Sequence, residues 1–179
     1  TTGMYQNCYN LKTVPDMALG TMTNASSMFN SCYNLKVAPN LTITGTNNMS
    51  TTASMFSGCF SLTTVLAYST FTWAATGTTT GSMFLTCVSL QPAGAVGGMN
   101  RVITTTSMYD SCYSLQSAPA YDLTACTTAG SMYQFCYNLQ VAPAHTNTNA
   151  ITNAASMFNQ CRSLENIPAY NFTGLSSAA

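Results

Sequence analysis

The phrase "SMFNSCYNLKVAP" at residues 27–39 returns at residues 131–143 as "SMYQFCYNLQVAP". Around these two stand "MYQNCYNLKTVP", "SMFSGCFSLTTV", "SMFLTCVSL", "SMYDSCYSLQSAP" and "SMFNQCRSLENIP". Aligned on methionine, the seven copies begin at Met4, Met28, Met55, Met83, Met108, Met132 and Met157, spaced 24, 27, 28, 25, 24 and 25 residues. A period of that size is the mark of stacked repeats, because so short a unit cannot enclose its own core and must bury its apolar face against its neighbours. Residues 1–179 are therefore read as one repeat domain. The distance from Met157 round to Met4 is 26 residues, within the internal range, which suits a segment of a longer array or a unit stacked head to tail.

Every copy carries an aromatic residue one position after Met, a cysteine four after and a leucine seven after. Offsets of 0, 4 and 7 share one face of a 3.6-residue helix, so the phrase predicts a short helical turn with an inward apolar stripe. Met28, Phe29, Cys32 and Leu35, and again Met132, Tyr133, Cys136 and Leu139, are expected to be rungs of a structural ladder along the stack. Proline often follows and stops helix propagation. Beyond it, Met17-Ala18-Leu19, Leu41-Thr42-Ile43, Tyr121-Asp122-Leu123 and Tyr170-Asn171-Phe172 alternate with period two, which predicts a short strand with one buried face. The expected fold class is an α/β repeat solenoid of seven coils of 24–28 residues, each a short helical turn plus short strands.

The phrase MFxxCxxLxxAP resembles the BspA-like leucine-rich repeat, a family of surface proteins in bacteria and some parasitic protists, with similar phrasing in phage and environmental sequences. The resemblance covers essentially the whole chain. It implies a leucine-rich-repeat-like stack with a surface, binding or adhesive role, and it brings no enzymatic site or cofactor. Met and Ala stand where the family often has Ile or Leu, and proline is lost or shifted in the third and fourth copies.

Only 4% of the residues are charged, four basic and four acidic, against 46% hydrophobic. With no basic patch there is no electrostatic basis for binding nucleic acid, nor for attraction to anionic lipid. No apolar run reaches the length of a membrane span, so membrane insertion is not expected. The sequons at Asn24, Asn40, Asn48 and Asn171 suit an extracellular location, at a cell or virion surface.

Seven of the eight cysteines form one column, and with no CxxC and a single histidine they supply no zinc-type ligand set. They are expected to be reduced, buried core residues, while Cys126, outside the column, is expected to be the more reactive thiol. His145 falls in a column otherwise made of Met17, Leu41, Tyr68, Val96, Tyr121 and Tyr170 and reads as a wall residue rather than a catalytic base. Asp16, Asp110, Asp122 and Glu165 lie at unrelated offsets and form no carboxylate pair, so no catalytic residue, metal or cofactor is expected.

The aromatic column beside Met reads as core. A second column just after Cys, comprising Tyr9, Tyr33, Phe60, Val88, Tyr113, Tyr137 and Arg162, lies nearer the edge of the buried stripe. Its tyrosines are candidates for partner contact, because Tyr offers area and a hydroxyl together. The longest spacings, in the third and fourth copies, predict a bulge between residues 66 and 100 that presents Phe71 and Trp73 as further contact residues. Thr-x-Thr pairs at Thr21/Thr23, Thr42/Thr44, Thr70/Thr72 and Thr146/Thr148 raise ice binding, but their offsets do not align into a flat array.

These observations lead to a noncatalytic structural or adhesive surface protein, part of a filament or fibre through head-to-tail self-association of its ends. The alternative is a recognition module, a phage fibre or adhesin that binds glycan or protein. Ice binding stands third.

Overall fold

The computed structural model describes residues 2–42, 49–65, 67–68, 71–74 and 77–176. The α/β solenoid of seven coils is not what the chain forms. Among the described residues there is no α-helix. Regular strands are two or three residues long and make two separate parallel pairs: β1 (Met17–Ala18) with β2 (Leu41–Thr42), and β3 (Thr78–Thr79) with β4 (Val102–Thr104). Two single 3-10 turns, Met99–Arg101 and Thr148–Ala150, complete the regular elements among the described residues.

The helix fails for a reason visible in the backbone. The residue before each Met (Gly3, Ser27, Ser54, Ser82, Ser107, Ser131, Ser156) has φ between 53° and 65°. The residue three after Met (Asn7, Ser31, Gly58, Thr86, Ser111, Phe135, Gln160) has φ between 58° and 74°. Two left-handed residues four positions apart cannot belong to a right-handed helix. The phrase is therefore a run of linked turns.

The turns divide the amide groups between two tasks. In the second copy Met28, Asn30, Cys32 and Leu35 donate backward to the carbonyls of Ala25, Ser27, Phe29 and Cys32, closing tight turns. The alternate amides of Ala25, Ser27, Phe29 and Ser31 donate to Thr51, Ala53, Met55 and Ser57 of the third copy. The same alternation recurs along the stack, as in Phe84 to Met108, Tyr109 to Met132 and Tyr133 to Met157. Half the amides are thus spent on the neighbouring copy, which is why neither a helix nor a long strand develops. Where the backbone is extended the link is often one residue wide, as in the parallel bridges Asn24–Thr51–Thr79 and Thr104–Thr128–Asn153.

Side chains fill the space that this ladder encloses. Met28, Phe29, Cys32, Leu35, Met132, Tyr133, Cys136 and Leu139 are wholly buried, together with their counterparts in the third to fifth copies. The aromatic rings beside Met stack in one series from Tyr5 through Phe29, Phe56, Phe84, Tyr109 and Tyr133 to Phe158, with centroids 5.2–5.7 Å apart. Each such pair contributes about 0.5–1.5 kcal/mol beyond its burial.

Candidate functional site

The second aromatic column brings large rings to solvent in register. Tyr9, Tyr33, Phe60 and Tyr113 are each 37–48% exposed, and Tyr137 is half-buried. The backbone that carries them is pinned from copy to copy: Asn34, Ser61, Ser114 and Ser163 donate their amides to the carbonyls of Tyr9, Tyr33, Val88 and Tyr137. Tyr9 stacks on Tyr33 and Tyr33 on Phe60, both at 4.7 Å between centroids, and Tyr113 stacks on Tyr137 at 5.0 Å. Val88 interrupts the row, and Arg162 ends it with its guanidinium 4.8 Å from the Tyr137 ring centre. Because the ring faces lie against one another, the row offers its edges and hydroxyls outward. A sugar that stacks on an aromatic face finds few faces free here; a surface that accepts hydrogen bonds and packs on ring edges is better served.

Phe71 and Trp73 are not part of this edge. They are 2% and 1% exposed, so their expected role as contact residues is corrected. Trp73 donates its indole N–H to the Gly97 carbonyl, and a Cβ on Gly98 would lie 2.6 Å from the Trp73 ring. The small residues of "PAGAVGG" make room for the indole, so Phe71 and Trp73 of the long third copy are turned inward. Tyr68 joins it, stacked on Phe56 and Phe71 with its hydroxyl donated to the Pro39 carbonyl. Residues 66, 69, 70, 75 and 76 of the expected bulge lie outside the described residues.

The cysteine column has a second use that the sequence did not announce. Cys32, Cys59, Cys87, Cys112, Cys136 and Cys161 each donate the thiol hydrogen to the carbonyl of the aromatic residue in the preceding copy, at 3.0–3.1 Å. Burial pushes the Cys32 thiol up to about 11 and Cys59 up to about 12, with the adjacent column thiol adding to both. Cys126 is also buried and raised by that burial, so it is not the reactive thiol expected from its position. Cys8 is the exposed one. Brief alkylation of the native protein should therefore modify Cys8 first and Cys161 partly, and leave the other six untouched, because the reactive species is the thiolate and needs access. Peptide mass mapping that found Cys59, Cys87 or Cys112 labelled as fast as Cys8 would contradict this assignment.

His145 sits in a closed polar cluster. It accepts the Tyr121 amide hydrogen at Nδ1 (3.1 Å) and meets the Tyr133 hydroxyl at Nε2 (3.1 Å), while the Tyr109 and Tyr121 hydroxyls join at 2.7 Å. With Nδ1 accepting, the neutral ring carries its proton on Nε2 and donates to Tyr133. Burial pushes its pKa down to about 4.

The hydroxyl array missed by the sequence reading lies four and five residues before Met. Asn24, Thr51, Thr79, Thr104, Thr128 and Asn153 form one in-register column, and Thr23, Ser50, Thr78, Ile103, Thr127 and Thr152 the next. Its groups are engaged in turn-building: Thr51 and Thr79 accept the amides of Ala53 and Gly81, and Asn24 and Asn153 those of Ser26 and Ala155. Counting from Met instead of from Leu would have revealed the column. Of the Thr-x-Thr pairs considered earlier, Thr44 and Thr70 lie outside the described residues.

Among the described residues no helix is long and apolar enough to cross a membrane. A family model described as "Mycoplasma protein of unknown function, DUF285" matches residues 1–120 and, overlapping, 82–178. No curated protein and no solved structure matches the chain.

Proposed function

The chain belongs to the family described as Mycoplasma protein of unknown function, DUF285, and from that premise we propose that it is a noncatalytic structural or adhesive surface protein acting by repetition of one contact. The observation that carries this reading is the row of half-exposed, mutually stacked rings at Tyr9, Tyr33, Phe60, Tyr113 and Tyr137. A ring held by stacking on its neighbour loses little freedom when a partner arrives, so its binding cost is low. Several weak contacts of this kind in register add by avidity and need no deep pocket. The finer kinship, with BspA-like surface proteins, rests on the phrase MFxxCxxLxxAP in seven copies; it carries the surface role and not the architecture. An extracellular, cell-surface or virion setting and assembly into a fibre belong to the same reading.

Replacing Tyr9, Tyr33 and Tyr113 together by alanine should leave the far-ultraviolet spectrum intact, because these side chains lie outside the buried columns. Retention on plates coated with extracellular-matrix proteins should fall at least about tenfold, as expected when clustered aromatic anchors are removed. A parallel glycan panel separates protein from sugar recognition. Failure of the parent protein to bind either coating, or a triple variant that binds like the parent, would sink the reading.

A further inference from the structure

The outer aromatic row is interrupted in the interior of the chain, at the fourth copy. There Val88 stands between Phe60 of the third copy and Tyr113 of the fifth. The backbone keeps the form of the ring-bearing copies. The Val88 amide donates to the Thr86 carbonyl as Phe60 does to Gly58 and Tyr137 to Phe135, and Ser114 donates to the Val88 carbonyl as Ser61 does to Tyr33. The valine side chain therefore leaves from the point where a ring would leave, and reaches less far. Phe60 stacks on Tyr33 and Tyr113 on Tyr137, each through one face, so their other faces are turned toward Val88. The exposures agree: Tyr33, covered on both faces, is 37% exposed, while Phe60 and Tyr113 are 43% and 41%.

The result is a slot with an aliphatic floor and two aromatic walls. Two rungs of a parallel ladder separate the walls, about 10 Å. A flat group held midway lies about 5 Å from each ring, within the range of favourable stacking and close to the 4.7–5.0 Å of the stacked pairs in this row. The same column shows which flat group other than a ring suits it, since Arg162 lays its guanidinium 4.8 Å from the Tyr137 ring centre. Charge favours the same choice. The faces of aromatic rings are negative, and a cation between two of them is drawn to both. Asp110 adds a carboxylate from the copy that carries Tyr113. Its Oδ1 accepts the Ser111 hydroxyl at 2.8 Å, and it has no cationic partner among the described residues. Ser111 shares its offset with Phe135, which packs edge-on against Tyr137 in its own copy, so Ser111 and the carboxylate it holds lie on the Tyr113 side of the slot.

We propose that this slot binds the guanidinium of an arginine presented by a partner protein, held between Phe60 and Tyr113 over Val88. A guanidinium is planar, stacks on aromatic faces and is more weakly hydrated than an ammonium, so it enters between two rings at the smaller desolvation cost. A neutral ring would stack there but gain nothing from Asp110. The proposal rests on the reading of the row as the contact surface and names the group that the partner inserts. The ring edges supply area that any rung could supply, whereas the slot occurs at one rung and fixes the register of the partner on the row.

The test titrates the protein, isotopically labelled in its phenylalanine and tyrosine rings, with N-acetylarginine amide and follows Phe60 and Tyr113 by nuclear magnetic resonance. Both ring signals should move together and saturate. N-acetyllysine amide should bind at least about threefold more weakly, and N-acetyltyrosine amide and methyl glucoside more weakly than arginine amide as well. Val88→Tyr fills the slot with a ring and should weaken arginine binding at least about tenfold, while Tyr113→Leu removes one wall and should weaken it about fivefold. Circular dichroism confirms that both variants are folded, and the second variant carries the test should the first repack. Rings that do not respond to arginine amide, variants that bind it as the parent does, or a tyrosine or glucoside probe that binds as tightly as arginine would each overturn the proposal. Plate retention reads the row separately. A parent that takes up arginine amide but is not retained on coated plates keeps the slot and loses the adhesive reading; a parent that is retained but shows no saturable arginine shift loses the slot alone.

Discussion

Trp73→Ala is expected to lower the stability of the protein by about 4 kcal/mol, the middle of the range for emptying a large aromatic site in a core. The indole is 1% exposed, makes an edge contact with Phe71 at 6.0 Å and donates to the half-buried Gly97 carbonyl, so the variant loses packing and leaves that acceptor without its indole donor. Its place in the stack gives the loss a second signature. In stacked repeats each unit is stabilised by its neighbours, and a weakened interface uncouples the two sides. Urea unfolding followed by circular dichroism should therefore broaden or split into two transitions, where the parent shows one. Gly98→Ala should act in the same direction and cost about 2 kcal/mol or more, since φ is +66° and the new methyl would meet the indole ring. A Trp73→Ala protein that unfolded within about 1 kcal/mol of the parent, in a single transition, would show that the widened copy is not held by the indole.

The columns were legible because burial follows side-chain chemistry at fixed offsets, whatever the backbone does between them. Met28, Phe29, Cys32 and Leu35 had to lie inside together, and a helical turn or a run of tight turns brings offsets 0, 1, 4 and 7 to one side equally well. That degeneracy is why the helix was wrongly read. The signal that separates the two conformations was present in two glycines. Gly3 stands where six copies have serine, and Gly58 where others have Asn, Ser, Thr, Phe or Gln. Glycine at both positions marks left-handed backbone, and two such positions in one phrase exclude a helix. Phe71 and Trp73 were misplaced for a different reason. Extra residues in a repeat usually leave as a surface loop, but aromatic rings stay inside when the next copy is built from small residues that make room. The edge row could be read only as a set of residues in register. That its rings stack face to face, and so present their edges, depends on copy-to-copy spacing, which no single sequence states.

His145 should make the protein acid-sensitive in a window set by one ring. Its folded pKa is pushed down to about 4 by burial, from an ordinary value of 6.5. Between those two values the unfolded chain binds a proton that the folded chain refuses, so stability is lost as the pH falls from about 6.5 to about 4, and no further loss from this group follows below that. The span is worth about 3 kcal/mol at 1.36 kcal/mol per pH unit. The geometry explains the refusal. A proton on Nδ1 would point at the Tyr121 amide hydrogen that Nδ1 now accepts, and the rings packed around it, Tyr121, Tyr133 and Tyr170, offer no negative charge. Asp122 works in the same direction, its carboxylate held below the usual range by Thr124 and Asn147, but it is exposed and contributes little. Urea midpoints measured from pH 7 to pH 4 should fall steeply for the parent and nearly level for His145→Gln, whose amide can still accept from Tyr121 and donate to Tyr133 without taking up a proton. Parallel pH slopes in the two proteins would move the acid sensitivity away from this cluster, and the loss of acceptor at Nδ1 would then not be what opens the stack.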